Sequence, residues 1–585
     1  MLQVGGYGSS RCAAVVNGLH FDAMNRPGHT RWVLLIGLAA VLAACGGGGS
    51  DAPLPAGGVD DPTVYSSQPS ASLAGAVEQV AVTRHRITLA GQDIDYTASA
   101  GHLIARDPVA GAAQASIFYV AYTADLPDPA ATATRPVTFF YNGGPGSASV
   151  WLHLGSFGPK RLVTGVPATT AARPFPLVDN ADSLLDTTDL VFVNAVGSGR
   201  SQAIAPFSNR DFWGVDVDAA LFRDAIRRWL VIHGREASPF FLYGESYGGP
   251  RTAVLARRLQ EAGSWPAGLI LQSPAMDYNS NCGVSAATTI PCTGYLPSYA
   301  ATGAWHGLTT PVPSDVDAWV NQARDFAQGS YAPALTDWLT AATPAPALWD
   351  PLGALTGLPA AQWQLQFNLG PTRYRERLIA GQLLGRYDAR MRAANGSVLA
   401  SEGDPSSTWI TSSFQTAINS YLRDTLAYRN ASTYVMLSNA IQNWDFSHDG
   451  RALPDTVPDL AAALAADPAL RVLAASGQHD LATPFHTTET DLARLASSRV
   501  TTRDYPGGHM SFLDDGTRPR QKADLQAFYA DALAAMPVRK PPLAARARPS
   551  TPWPDRAGAP DAAGGPPLAE PAMQAPMRDP WVPPR

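Results

Sequence analysis

The sequence predicts an α/β fold: a mostly parallel central sheet, helices on both of its faces, and a helical cap inserted near the middle. Three observations carry this reading. Runs such as Leu190-Val191-Phe192-Val193 and Leu269-Ile270-Leu271 are apolar throughout, as parallel strands buried on both faces should be. Between such runs lie segments with helical periodicity: Phe222, Ile226, Trp229 and Leu230 share one face of a 3.6-residue repeat. Strand and helix then alternate, which is the pattern of a layered sheet.

The chain has 585 residues and a net charge of -6 without a basic stripe or an acidic tail, so nothing argues for a nucleic-acid partner. Its start reads as an export signal. Arg26 and Arg31 precede an apolar run from Trp32 to Ala44 that ends at Cys45. That run is short for a membrane span and suits a signal peptide over 1–45. Residues 1–23 are unlike a signal start, which makes Met24 a candidate initiator. Leu42-Ala43-Ala44-Cys45 resembles a bacterial lipobox, in which lipid joins the cysteine, so Cys45 is the expected lipidation site. The protein is then expected in the cell envelope, on the membrane through that lipid alone. Residues 46–76, rich in Gly, Ser, Pro and Asp, read as a flexible linker.

From 77 the pattern becomes sheet-like, and 77–277 reads as the first part of the α/β core. Arg86–Leu89, Ile94–Thr97 and Ser116–Tyr122 are short strand candidates, and Val137–Tyr141 is another, stopped by Asn142-Gly143-Gly144-Pro145-Gly146. Asp216 and Asp218 sit where the dipole of the following helix favours negative charge. The alternation breaks over 278–468, where short helical patterns dominate. Seven of the fourteen tryptophans fall between Trp305 and Trp444, as in an insertion that has a small core of its own or caps the strand ends. Over 469–537 the core resumes, with one further strand signal at Leu470–Ala475 and a helix placing Leu525, Phe528, Tyr529 and Leu533 on one face. Residues 538–585 are dominated by Pro and Ala and build no core. Of the four cysteines, Cys282 and Cys292 remain beyond the signal, and an oxidising compartment favours a disulfide between them.

The chemistry concentrates at Gly244-Glu245-Ser246-Tyr247-Gly248-Gly249, between the apolar run Phe240–Tyr243 and the helical run Arg251–Leu259. A strand, a glycine-flanked serine and a helix make the nucleophile elbow of the α/β-hydrolase fold. A serine hydroxyl needs a base, and the base needs a carboxylate to fix its tautomer. In that fold the order is Ser, acid, His, and the chain offers Ser246, Asp480 and His509. His479 and His486 compete as bases, but His479 adjoins the acid and His486 stands at a helix start. No ligand set of familiar metal spacing is present, and no cofactor motif occurs. The oxyanion hole needs backbone N–H donors. Tyr247 follows the nucleophile, and the Asn142–Ser147 loop supplies a second donor.

Asn142-Gly143-Gly144-Pro145-Gly146-Ser147 resembles a signature of the serine carboxypeptidases, and Gly244–Gly249, with its unusual Glu before Ser, resembles their nucleophile segment. Val196–Ser201, Gly477–Asp480, Gly508-His509-Met510 and Tyr295–Ala301 are similar to further family segments. The resemblance implies a peptide substrate shortened from its C-terminus through an acyl-enzyme. Ser246 would attack, His509 would act as base, Asp480 would orient it, and Gly144 and Tyr247 would hold the oxyanion. Asn142 and Glu245 would bind the terminal carboxylate. In the family a second Glu, just before an x-Gly-Pro, shares a proton with the first; here Ser156 precedes Phe157-Gly158-Pro159. Arg200 also replaces a family aromatic residue. The expectation is that Arg200, or another cation, meets the substrate carboxylate and weakens the family's acid optimum. An esterase or acyltransferase would use the same nucleophile, and a catalytically silent surface-binding lipoprotein is the alternative outside enzymes.

Overall fold

A computed structural model describes residues 57–284, 289–341 and 346–536. The expected signal peptide, the lipidation site Cys45 and the Pro/Ala-rich tail lie outside the described residues. Among the described residues no helix is long and apolar enough to cross a membrane.

A ten-stranded sheet organises the chain. Its main strands are β1 (Val80–Leu89), β2 (Gln92–Arg106), β3 (Ala113–Ala124), β4 (Val137–Tyr141), β5 (Asp189–Val193), β6 (Phe240–Glu245), β7 (Gly268–Gln272), β8 (Arg471–Gly477) and β9 (Val500–Tyr505). They lie side by side in the order β9-β8-β7-β6-β4-β5-β3-β2-β1. From β9 to β5 every pairing is parallel; β5-β3, β3-β2 and β2-β1 are antiparallel. The fold is that of an α/β-hydrolase. Because side chains alternate along a strand, the same strands feed two cores. Phe139, Val191, Leu242, Leu269 and Val472 pack against helices Val215–Ile232, Gly248–Glu261 and Val457–Ala466. Phe140, Phe192, Tyr243, Ile270 and Leu473 face the other way, against helices Pro405–Ser420 and Arg518–Ala535. Phe222, Ile226, Trp229 and Leu230 meet the first core as their spacing predicts.

The sequence reading differs from the structure in four places. β1 and β2 form one long hairpin around Ala90-Gly91, both at positive φ, where the sequence suggests only short strands. β9 is absent from the sequence reading, because Val500-Thr501-Thr502-Arg503-Asp504-Tyr505 is an edge strand with mostly polar, half-buried side chains. The linker assigned to 46–76 ends earlier. Val59–Asp61 pairs in parallel with Tyr428–Asn430, and Leu73 is buried with Ile104 and Ile204. Asp61 there accepts hydrogen bonds from the hydroxyls of Tyr65 at 2.8 Å and Tyr428 at 2.5 Å. Finally, the segment 278–468 is not one insertion. Tyr295, Tyr299, Trp319, Tyr331, Trp363 and Tyr374 build a small core of their own. Pro405–Ser420 and Val457–Ala466 instead join the two cores of the sheet. Cys282 and Cys292 are joined by a disulfide, their Cα atoms 5.4 Å apart.

Candidate active site

The parallel strands run in one direction, so the loops that follow β4, β6, β8 and β9 emerge along one edge. Those loops carry Asn142–Ser147, Ser246, Asp480 and His509 respectively.

At the end of β6, Ser246 has a φ of 63°, a backbone conformation that L side chains rarely adopt. Such a turn costs of order 1–3 kcal/mol and persists only where its surroundings hold it. Ser246 N donates to Gln272 O of β7 at 2.9 Å. Arg251, one turn into the next helix and fully buried, donates through Nε to Asp218 Oδ2 at 2.6 Å and through Nη1 to Asn142 O at 2.7 Å. One guanidinium thus ties the helix after the serine to the loop after β4. Tyr247 Oη accepts from Trp444 Nε1 at 3.2 Å.

His509 Nδ1 lies 2.7 Å from Asp480 Oδ2. Asp480 Oδ1 accepts from the N–H groups of Ala482, at 2.7 Å, and Thr483, at 3.1 Å. Thr483 Oγ1 stands 2.8 Å from Asp480 Oδ2 and 3.0 Å from His509 Nδ1, bracing the pair. The backbone of His509 is fixed as well. Its carbonyl accepts from Ser273 Oγ at 2.7 Å, and its N–H donates to Tyr387 O at 2.6 Å. Burial disfavours the imidazolium, but the charge and hydrogen bond of Asp480 outweigh it and raise the His509 pKa. With Nδ1–H directed at the carboxylate, Nε2 is the nitrogen left for proton transfer. Ser246 and His509 line one cavity together with Asn142, Gly143, Gly144, Glu245 and Thr483.

The Asn142 loop lies directly on the elbow. A Cβ on Gly143 would fall 2.4 Å from Tyr247 N and 2.6 Å from Glu245 O, so only glycine fits there. Asn142 Oδ1 accepts from Leu152 N at 3.1 Å, which fixes the side chain. Glu245 is buried and hydrogen-bonded by the Asn142 side chain, while its Oε2 has no hydrogen-bond partner among the described residues. Burial pushes its pKa up to about 7; His509 and Asn142 pull it down, and Asp480 adds to the rise. A neutral Glu245 carboxyl is a hydrogen-bond donor, and its O–H lacks an acceptor of its own.

Two sequence expectations fall outside this site. Arg200 does not reach it. Gly199 N donates to Val435 O, which turns Arg200 toward Tyr428 and Tyr434, with its guanidinium 5.5 and 5.9 Å from their ring centroids. Arg200 Nη2 bonds Ser432 O at 3.2 Å, and the residue lines a separate cleft of about 570 Å³ that contains none of Ser246, Asp480 and His509. Ser156, at the family's second Glu position, donates to Leu152 O within its own helix. Of the competing histidines, His486 bonds Glu489 and Gln328, and His479, its pKa lowered by burial, stacks edge-on with Trp305.

The sequence reading missed Arg386 and Tyr387, which line the cavity beside His509. The signal was an alternating run of charge, Arg386, Asp388, Arg390 and Arg392. Asp388 and Asp514 pair with Arg390, at 2.7 Å each, and so anchor this loop. Among the described residues one group has metal-like spacing, His448, Asp449 and Asp459. His448 lies between Asp216 and Asp459, which raise its pKa to about 10 against the effect of burial, so ion pairs among these residues account for the cluster.

The family model for serine carboxypeptidase matches residues 90–266. Over that stretch the chain is similar to the serine carboxypeptidases. The match marks the chain as a serine-type peptidase with peptides as its substrate class. Among solved structures, the chain is similar to Kex1(delta)p, a prohormone-processing carboxypeptidase from Saccharomyces cerevisiae, at 15% identity and a TM-score of 0.48, with 74% of this chain and 91% of that one covered. It is also similar to a proline iminopeptidase from Mycobacterium smegmatis, at 15% identity and a TM-score of 0.30, with 78% and 100% covered. No curated protein matches.

Proposed function

We propose that the protein is a carboxypeptidase that releases single C-terminal residues through a Ser246–His509–Asp480 triad. The observation that carries this is the 2.7 Å contact between His509 Nδ1 and Asp480 Oδ2, in one cavity with a Ser246 held at positive φ. Ser246 Oγ attacks the scissile carbonyl as its proton passes to His509 Nε2. The oxyanion forms beside Gly144 N–H and Tyr247 N–H. His509 then protonates the leaving amine, and the C–N bond breaks to give an acyl-Ser246 and a free amino acid. Water, deprotonated by His509, attacks the ester and restores Ser246.

Asn142 and Glu245 hold the substrate's terminal carboxylate. A carboxyl donates to a carboxylate only while one of the two carries a proton. Here burial, rather than a second Glu, keeps Glu245 protonated up to about pH 7. Export and lipid attachment at Cys45 belong to the same proposal and rest on the Arg31–Cys45 pattern.

A fluorophosphonate probe should label the folded protein and fail on Ser246→Ala. N-blocked dipeptides should lose their last residue, and their C-terminal amides should not. Labelling with hydrolysis of esters alone would replace the carboxypeptidase by an esterase; no labelling would remove the enzyme.

A further inference from the structure

We propose that Arg200 anchors a second binding site, one that takes a phosphate group, in the cleft of about 570 Å³ apart from the catalytic cavity. Arg200 is 4% exposed, yet it lines that cleft. Its Nη2 donates to Ser432 O at 3.2 Å and Asn430 O at 3.4 Å, two carbonyls of the cleft wall. Its Nε and Nη1 have no hydrogen-bond partner among the described residues. The rings of Tyr428 and Tyr434, 5.5 and 5.9 Å away, attract a cation but supply no counter-charge. The buried carboxylate of the cleft, Asp61, is engaged elsewhere. Its Oδ2 accepts from the hydroxyls of Tyr65 and Tyr428, and its Oδ1 from Thr63 N at 2.9 Å. A buried cation without an anionic partner is strongly disfavoured, and an anion arriving through the cleft removes that penalty.

Two more arginines line the cleft, and both are exposed. Arg423 pairs with its neighbour Asp424 at 2.7 Å, and Arg429 pairs with Asp60 at 3.3 Å. Exposed pairs of this kind are weak and readily exchanged. The cleft thus offers one buried and two exposed guanidiniums against the exposed carboxylate of Asp60. A carboxylate, with one charge and two oxygens in a plane, would be satisfied by Arg200 alone. A phosphate monoester carries nearly two charges and three acceptor oxygens, so it can meet Arg200 and an exposed arginine together. A cleft of this size also has room for the group that carries the phosphate. Soluble phosphate esters and lipid headgroups both present that chemistry.

The test is isothermal titration of the full chain at pH 7.5 and constant ionic strength, with phenyl phosphate and benzoate as probes, on wild type, Arg200→Gln and Arg200→Lys. Wild type should bind phenyl phosphate with a Kd of about 1 mM or tighter, and roughly tenfold more tightly than benzoate. Arg200→Gln should weaken phenyl phosphate by about tenfold to hundredfold, as loss of a charged hydrogen bond does, and Arg200→Lys should keep part of the affinity. Fluorophosphonate labelling should be unchanged in Arg200→Gln, which separates this site from Ser246. Should Arg200→Gln fail to fold, Arg423→Gln and Arg429→Gln, both at exposed positions, should each weaken phenyl phosphate by about twofold to fivefold. Displacement of the probe by short-chain phosphatidic acid but not by inorganic phosphate would assign the site to a lipid headgroup, and displacement by both to a soluble phosphate; the proposal stands on either. Phenyl phosphate that does not bind wild type, that binds Arg200→Gln as tightly, or that binds no better than benzoate overturns it.

Discussion

The cavity is closed by two walls of different origin. One consists of strand ends: Asn142–Gly144, Ser246, Thr483 and His509 each follow a strand of the parallel sheet by a few residues, and Glu245 ends β6. The other comes from the middle of the chain, with Arg386, Tyr387, Ser407, Ile410 and Leu437. The first wall inherits its geometry from a ladder of backbone hydrogen bonds and two buried cores. The second is stitched to the first at a few points: Ala389 N to His479 O at 3.0 Å, Leu481 N to Arg386 O at 2.9 Å, and His509 N to Tyr387 O at 2.6 Å. The strand-end wall holds Ser246 and His509, the proposed reacting groups, and the stitched wall braces His509 through Tyr387. The two walls come from separate parts of the chain, and they meet at those stitches.

The largest effect is expected where the walls join. A Cβ on Gly508 would lie 2.2 Å from Tyr387 O and 2.6 Å from Asp388 Cβ. Gly508→Ala must push the two walls apart next to His509. Displacing a catalytic group by about 1 Å costs on the order of 10²-fold, and kcat should fall by at least that much, with a lowered Tm. Near wild-type turnover would show that the second wall yields freely.

Glu245 tests the strand-end wall alone. Its folded pKa, about 7, exceeds the ordinary 4.5. Between those values the folded protein keeps a proton that the unfolded chain has lost, so stability falls as pH rises through this window. Across this window the effect amounts to roughly 3 kcal/mol. Glu245→Gln should therefore gain on wild type in thermal melts from pH 5 to pH 8. Wild-type peptide hydrolysis should decline above about pH 7, and Gln, which donates at any pH, should lack that limb. Ester substrates, having no carboxylate, should lack it in both proteins. A wild-type decline complete by pH 5 would mean that burial does not hold the proton.

The smallest effect belongs to Arg200. It borders a different cleft, so Arg200→Gln should change kcat/KM for peptides by less than threefold. A larger loss would mean that the Tyr428–Val435 segment transmits strain to the Ser147–Leu437 bridge and the Ser438 N to Gly146 O hydrogen bond.

Part of this arrangement was legible in the sequence. The strand-end residues stand out because each is local: an apolar run, then a glycine turn or a polar residue, in a fixed order along the chain. β4 to β8 and the helix of Phe222–Leu230 were readable for the same reason. β9 was not, because an edge strand alternates weakly and Val500–Tyr505 is mostly polar. Residues 57–76 read as a linker because their composition is polar, yet Asp61 and Leu73 find partners at Tyr428 and Ile204, far along the chain. Arg200 and Arg386 make the same point in opposite directions. Arg200 lies within a motif and folds away from the site. Arg386 lies in no motif and arrives through backbone contacts with Leu481 and Asp404, which no local pattern encodes.

The Cys282–Cys292 link bears on where this protein can work. It closes a loop of sequence separation 10, in which Val284 lines the cavity. Closing such a loop removes roughly 2–3 kcal/mol of chain entropy from the unfolded state. The rim of the cavity is therefore conditioned by the electron balance of its surroundings. A reducing medium would open that covalent ring beside Val284, which lines the cavity.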